Sequence, residues 1–177
     1  MKTKLTFLLA LTFLFLFSGS VCGKEEVKRE YWGKAKLYKE IHYKNGKREG
    51  LTTWWYASGA KDREIHYKNG KREGLKTGWY ESGEKWYEEH YKNGKKEGLG
   101  TVWWKNGKKR IEVDLKDGFK DGIHKEWYES GRKKSLIHFK KDKYHGVTKM
   151  WDEVGNLTFR ENYRDGVIIY PDDNEKI

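Results

Sequence analysis

From about Tyr31 to Tyr170 the apolar positions recur in a fixed frame, each aromatic and β-branched run being closed by a turn. "GLTTWWY" at Gly50–Tyr56 and "REIHY" at Arg63–Tyr67 are separated by Ala-Ser-Gly, and Lys-Asn-Gly follows the second. Short runs rich in Trp, Tyr, Thr and Ile, punctuated by Gly, Asn and Ser, predict strands joined by hairpin turns. Glycines recur too often between Gly46 and Gly166 for helices to form.

The frame is 24 residues long. Gly50, Gly74, Gly98, Gly122 and Gly146 keep that step, as do Trp55, Trp79, Trp103, Trp127 and Trp151. Two further series, Gly46, Gly70, Gly94, Gly118 and Gly59, Gly83, Gly107, Gly131, Gly155, are the predicted structural turn glycines. The pattern predicts an all-β fold: an elongated, single-layer antiparallel β-meander of about eleven strands, built from 24-residue hairpin repeats. Equivalent residues of successive repeats would stand two strands apart, roughly 9 to 10 Å, and the sheet would extend roughly 50 Å.

Three-residue loops, with Asn45 or Ser58 in the turn and Gly46 or Gly59 in the left-handed position, give the cleaner segregation of side chains. They put Leu51, Thr53 and Trp55 on one face with Ile41, Tyr43, Ile65 and Tyr67. The other face then carries Glu40, Glu64, Glu88 and Glu112 with His42, His66, His90 and His138, plus Tyr56, Tyr80, Trp104 and Tyr128. An even period returns each repeat to the same face whichever turn is formed.

The ends break the pattern. In "YWGKA" Ala35 replaces the turn glycine, and Pro171 stops strand pairing before a polar tail at 171–177. The repeat domain therefore spans 31–170, a half repeat plus about five units. Residues 24–30 read as a polar leader. Before them, Lys2 and Lys4, the apolar run Leu5–Phe17 and the small residues Ser18, Gly19 and Ser20 make a secretory signal peptide over 1–23, cut between about 20 and 24. The apolar run is shorter than the roughly 20 residues a spanning helix needs, so an exported chain with no transmembrane span is expected: periplasmic, envelope-associated or secreted. Lipidation at Cys22 is disfavoured, because Gly19 and Val21 stand where a lipobox wants a branched apolar and a small residue. Cys22 is the sole cysteine, so no intramolecular disulfide is available.

Composition sharpens the picture. Without Lys2 and Lys4 the chain keeps 36 basic and 27 acidic side chains, a net +9. Nine Trp, twelve Tyr and seven Phe are too many aromatics for a disordered polyelectrolyte, so the rings are packed or presented in order.

Two candidate binding features follow. One is the aromatic ladder of Trp55, Trp79, Trp103, Trp127 and Trp151 with Tyr56, Tyr80, Trp104 and Tyr128, which either packs against neighbouring strands or offers stacking platforms. The other is a basic edge of Lys44, Lys47, Arg48, Lys68, Lys71, Arg72, Lys92, Lys95 and Lys96 beside the turns, suited to an anionic surface or an acidic protein. Export argues against nucleic acid as its ligand. Successive Glu–His pairs such as Glu40–His42 and Glu64–His66 stand too far apart to share a zinc ion, so no metal and no cofactor is expected. No nucleophile, phosphate-cradling loop or singular acid–base group stands out, and residues copied in every unit are more naturally structural than catalytic.

The unit seen in "GLTTWWYASGAKDREIHYKNGKREG" and "GLKTGWYESGEKWYEEHYKNGKKEG" resembles the MORN repeat, in the variant found in the bacterial YwqK-type antitoxin component family. The resemblance implies a non-enzymatic β-meander scaffold for protein or lipid contact, and its antitoxin label implies a partner toxin. A signal peptide departs from an intracellular antitoxin and would suit an exported immunity protein. Choline-binding and cell-wall-binding repeats are a looser likeness, their units being shorter and without the Lys-Asn-Gly turn.

Overall fold

The structure, a computed structural model, describes residues 4–5, 23–33 and 36–170. Residues 6–17 of the apolar leader, Cys22, Ala35 and the tail 171–177 lie outside the described residues. The fold is all-β, one open antiparallel sheet in which sheet order follows chain order. The strands are β1 (Lys4–Leu5), β2 (Glu25–Trp32), β3 (Lys36–Lys44), β4 (Lys47–Trp55), β5 (Lys61–Lys68), β6 (Lys71–Trp79), β7 (Lys85–Lys92), β8 (Lys95–Lys96), β9 (Gly98–Trp103) and β10 (Lys109–Lys116). They continue as β11 (Phe119–Trp127), β12 (Lys133–Lys140), β13 (Lys143–Tyr144), β14 (Gly146–Trp151), β15 (Leu157–Arg164) and β16 (Val167–Ile168). The stretch that reads as a polar leader is already in the sheet: Glu25 pairs with Lys44 and Glu30 with Lys39.

Two compact units divide the chain, Met1–Trp86 with His90–Gly94 and Tyr87–Glu89 with Lys95–Ile177. In the first, both turn types of the repeat are visible. At Ala-Ser-Gly the Tyr56 N–H donates to Ala60 O at 2.9 Å and the Gly59 N–H to Tyr56 O at 3.0 Å, with Gly59 at φ 97°. This is the expected three-residue loop.

At Lys-Asn-Gly the expectation fails. Lys44 pairs directly with Lys47, and Asn45 and Gly46 both have positive φ, 51° and 73°. That is a two-residue hairpin loop of the primed type, which the Asn-Gly dipeptide favours because both residues tolerate the left-handed region. The next strand then bulges: Tyr43 faces Arg48 but Ile41 faces Thr52, with Gly50 at φ 80° inside the irregularity.

The bulge adds two residues, so the faces stay as the two-residue loop sets them. Ile41, Thr52 and Ile65 line up across three strands, with Trp54 opposite Lys39 and Arg63. Ile41 is 3% exposed, Thr52 fully buried, and Trp54 and Ile65 7% exposed. This first face also holds Tyr43 and Tyr67. The second face carries Glu40, Thr53, Glu64 and Thr77 in line, with Leu51 opposite His66. The sequence reading placed Leu51, Thr53 and Trp55 with Ile41 and Ile65; alternation from Thr52 and Trp54 puts them on the opposite side. Thr53 and Thr77 are buried as well, so both faces of this unit are covered in part.

In the second unit Val113, His124 and Ile137 are in line, as are Ile111, Glu126, Ser135 and Met150. Gly100 pairs with Val113, and a Cβ added at Gly100 would meet the Val113 and Leu115 side chains at 3.3 Å.

Candidate interaction surface

The turn edge is held by one latch, copied from repeat to repeat. In the first unit the Gly70 N–H donates to Arg48 O at 2.8 Å and the Gly94 N–H to Arg72 O at 2.9 Å. Glu49 Oε2 accepts from the Asn69 N–H at 2.7 Å, and Glu73 Oε2 from the Asn93 N–H at 2.6 Å. In the second unit Glu97 Oε2 accepts from the Asp117 N–H at 2.9 Å and Lys96 O from Gly118. The Lys-Asn-Gly turns at Asn69 and Asn93 and the Lys-Asp-Gly turn at Asp117 are thereby tied to the preceding repeat. Sequence reasoning missed this role for Glu49, Glu73 and Glu97; their fixed place before the bulge glycine was the available signal.

A bond from a backbone amide to a carboxylate contributes about 1.5 to 3 kcal/mol when its removal leaves the amide unpaired. The Asn93 amide is exposed, so water recovers part of that. Glu73→Ala is expected to cost about 1 kcal/mol, read as faster hydrogen exchange at Asn93 and Gly94 than at Asn69 and Gly70.

The arginines of the predicted basic edge are turned to the first face. Arg48 Nη1 donates to Tyr67 Oη at 3.2 Å with its guanidinium 5.2 Å from the ring centre, and Arg72 repeats this on Tyr91 at 3.2 and 5.1 Å. Each guanidinium lies within cation–π range of a tyrosine, so these two arginines stabilise the sheet. Lys96 in the second unit pairs with Glu89, and Lys95 with Asp117 at 3.3 Å. Lys44 reaches Glu25 at 3.3 Å. Lys47, Lys68, Lys71 and Lys92 are exposed and form no hydrogen bond or ion pair among the described residues.

The aromatic ladder is half-buried throughout. In the first unit Tyr56 Oη donates to Trp79 O at 2.7 Å, Lys61 Nζ stands 5.6 Å from the Trp79 ring centre, and Tyr80 lies 5.9 Å from Trp86. In the second unit Trp104 Nε1 donates to Trp127 O at 3.1 Å and Tyr128 Oη to Trp151 O at 2.8 Å. The polar atoms of Tyr56, Trp104 and Tyr128 brace one hairpin against the next, and the rings remain part-exposed. Trp55 and Trp103 are half-buried likewise.

The histidine and glutamate series also has local partners. His66 Nδ1 donates to Leu75 O at 3.0 Å and His138 Nδ1 to Val147 O at 2.7 Å, each at a strand bulge. Glu64 pairs with Lys61 at 2.6 Å. Burial works against ionisation of Glu40, but the Arg29 Nε at 2.6 Å and His42 Nε2 at 3.1 Å outweigh it and hold the carboxyl below its ordinary range. Among the described residues no three His, Cys, Asp or Glu side chains converge as a metal site would need.

One cluster stands outside the repeat. His124, 6% exposed, donates from Nε2 to Glu126 Oε1 at 3.0 Å, and Lys134 Nζ reaches Glu126 Oε2 at 3.2 Å. His124 Nδ1, Ser135 Oγ and Thr148 Oγ1 are buried without a hydrogen bond. Glu126 takes the place of Trp54, Gly78, Val102 and Met150 in the other repeats, and a search for recurring residues passes over it. The His124 bond, with help from Lys134 and against the effect of burial, lowers the Glu126 carboxyl to about 2.

A depressed folded pKa stabilises the fold above the ordinary carboxylate range, and that contribution is lost as pH falls from about 4.5 towards 2. Glu126→Gln is therefore expected to lower stability by about 1 to 2 kcal/mol at pH 7, less than the full shift because the carboxyl is part-exposed. The gap between variant and parent should close by pH 2 in urea titrations; a gap independent of pH would refute the assignment.

Three repeats, at residues 48–69, 72–93 and 120–141, match the MORN repeat variant family. No curated protein matches the chain. Those three segments are similar to MORN repeats, a tandem architecture consistent with a binding scaffold.

Proposed function

We propose that the chain is an exported, non-enzymatic MORN-type scaffold that binds a partner, a protein or an anionic envelope surface, through its lysine-lined turn edge and the part-exposed rings of its aromatic ladder. The observation that carries this reading is the division of labour along the turns. Arg48, Arg72, Glu49 and Glu73 are engaged within the sheet, whereas Lys47, Lys68, Lys71 and Lys92 are left exposed and unpaired. Side chains copied in each repeat serve packing and latching, which favours a binding role over catalysis and asks for no cofactor.

The leader sequence supports export; a mature N-terminus between residues 20 and 24, read by mass spectrometry of the secreted or envelope fraction, is the expected result. The likeness to the YwqK-type family supports a toxin as the protein partner, neutralised in the envelope. Affinity capture of the mature protein from its own envelope fraction tests the scaffold reading. A partner retained by the parent and lost on replacing the turn lysines supports it. A catalytic activity that survives replacement of those lysines and of the exposed aromatics overturns it.

A further inference from the structure

The lysines of the first unit are arranged in a way that hairpin energetics alone disfavours. Lys44 and Lys47 are direct partners across one turn, and Lys68 and Lys71 across the next. Like charges directly opposite one another destabilise a strand pair. None of the nearby carboxylates Glu49, Glu73, Glu64 and Glu40 forms an ion pair with a lysine of the row: Glu49 and Glu73 bond the turn amides, Glu64 pairs with Lys61 and Glu40 with Arg29. Among the described residues Glu25 alone forms an ion pair with the row, at Lys44.

The latches hold the row rigid. Gly70 is bonded to Arg48 and Gly94 to Arg72, so the pair at Lys44 and Lys47, the pair at Lys68 and Lys71, and then Lys92 succeed one another at the two-strand spacing of about 9 to 10 Å. The strip is one residue pair wide, about 5.5 Å between Cα atoms. A small anion reaches one pair only. A chain of negative charges laid across the hairpins meets all of them.

We infer that this row is a binding strip for a linear polyanion, a polymer with phosphate or carboxylate groups repeated along one extended chain. The inference rests on the scaffold reading and names the chemical class of its partner. Binding relieves the opposed lysines, so the sheet trades stability for a preorganised line of charge.

Fluorescence anisotropy of the mature protein with labelled inorganic polyphosphate and with labelled polygalacturonate, at low and moderate NaCl, tests it. Both polymers should bind, with affinity falling steeply as salt rises, and orthophosphate at equal total phosphate should not compete. Lys47→Gln with Lys71→Gln should weaken binding at least about fivefold and reduce the log–log salt slope by about 1.4, two charges at about 0.7 each. The same double variant should melt no lower than the parent at low salt. Lys105→Gln with Lys133→Gln removes the same charge from exposed sites off the strip and should leave affinity within about twofold.

Binding to polyphosphate alone would assign the partner to the phosphate polymers, and binding to both would make charge spacing the criterion. Equal losses in the two double variants, or tighter binding to phosphatidylglycerol vesicles than to either polymer, would overturn the strip. If a captured protein partner depends on the same lysines while neither polymer binds, this inference fails and the scaffold reading stands. If nothing depends on them, both fail.

Discussion

Trp54→Ala is expected to lower the stability of the first unit by about 3 kcal/mol or more, well beyond any single replacement in the repeated tryptophan ladder. Trp54 is 7% exposed, it stands opposite Lys39 and Arg63, and both cations lie over its ring, at 5.7 and 4.8 Å from the ring centre. Removing the indole takes away the largest buried side chain on the Ile41, Thr52 and Ile65 face and strips both cations of their platform. Trp55 is half-buried, and Trp55→Ala loses less apolar contact, about 1 to 2 kcal/mol. Urea unfolding followed by far-ultraviolet circular dichroism measures the difference. A larger effect from Trp55→Ala would mean that the core lies on the other face. Because repeat proteins are stabilised chiefly through neighbouring units, amide exchange in β3 to β5 should show the loss locally.

The same residue shows where sequence reasoning stopped. The strand order, the absence of helix among the described residues and the Ala-Ser-Gly loop follow from a 24-residue period and ordinary turn chemistry. Face assignment does not, because a one-residue change in register exchanges the two sides of a sheet. The Asn-Gly dipeptides called for a two-residue loop, but that loop alone scatters apolar residues over both faces. The two turns differ: Asn45-Gly46 is a two-residue loop and Ala-Ser-Gly a three-residue one, and the bulge at Gly50, two residues long, leaves the faces unchanged.

Period-based reading has a second blind spot. Trp54 occurs in one repeat and Glu126 in another, so neither joins a ladder, yet one anchors the first unit and the other forms the charged cluster of the second. The basic edge was legible as composition, but the separation of arginines from lysines was not. Sequence spacing places Arg48 beside Lys47; only alternation across the strand turns the guanidinium towards Tyr67 and leaves the ammonium in solvent.

Gly122→Ala should be the most damaging of the repeated-glycine substitutions, by about 3 kcal/mol or more, whereas Gly50→Ala should cost about 1 to 2 kcal/mol. The two glycines occupy equivalent places in their repeats and both have positive φ, but their surroundings differ. At Gly50, φ is 80° and an added Cβ meets nothing within 4 Å, so the cost is backbone strain alone. At Gly122, φ is 125°, outside the pocket that side-chain-bearing residues tolerate, and an added Cβ would sit 2.7 Å from Asp114 Cβ. An atom so close to its own backbone cannot swing aside, so the strand must shift and with it the 2.8 Å bond from the Ile123 N–H to Asp114 Oδ2. Asp114→Ala should not rescue Gly122→Ala, since it keeps the clashing Cβ; Asp114→Gly removes that atom and should recover part of the loss, leaving the strain of φ. Thermal unfolding of the two single and two double variants decides the point, and recovery by Asp114→Ala equal to that by Asp114→Gly would show that the carboxylate, not the Cβ, sets the cost.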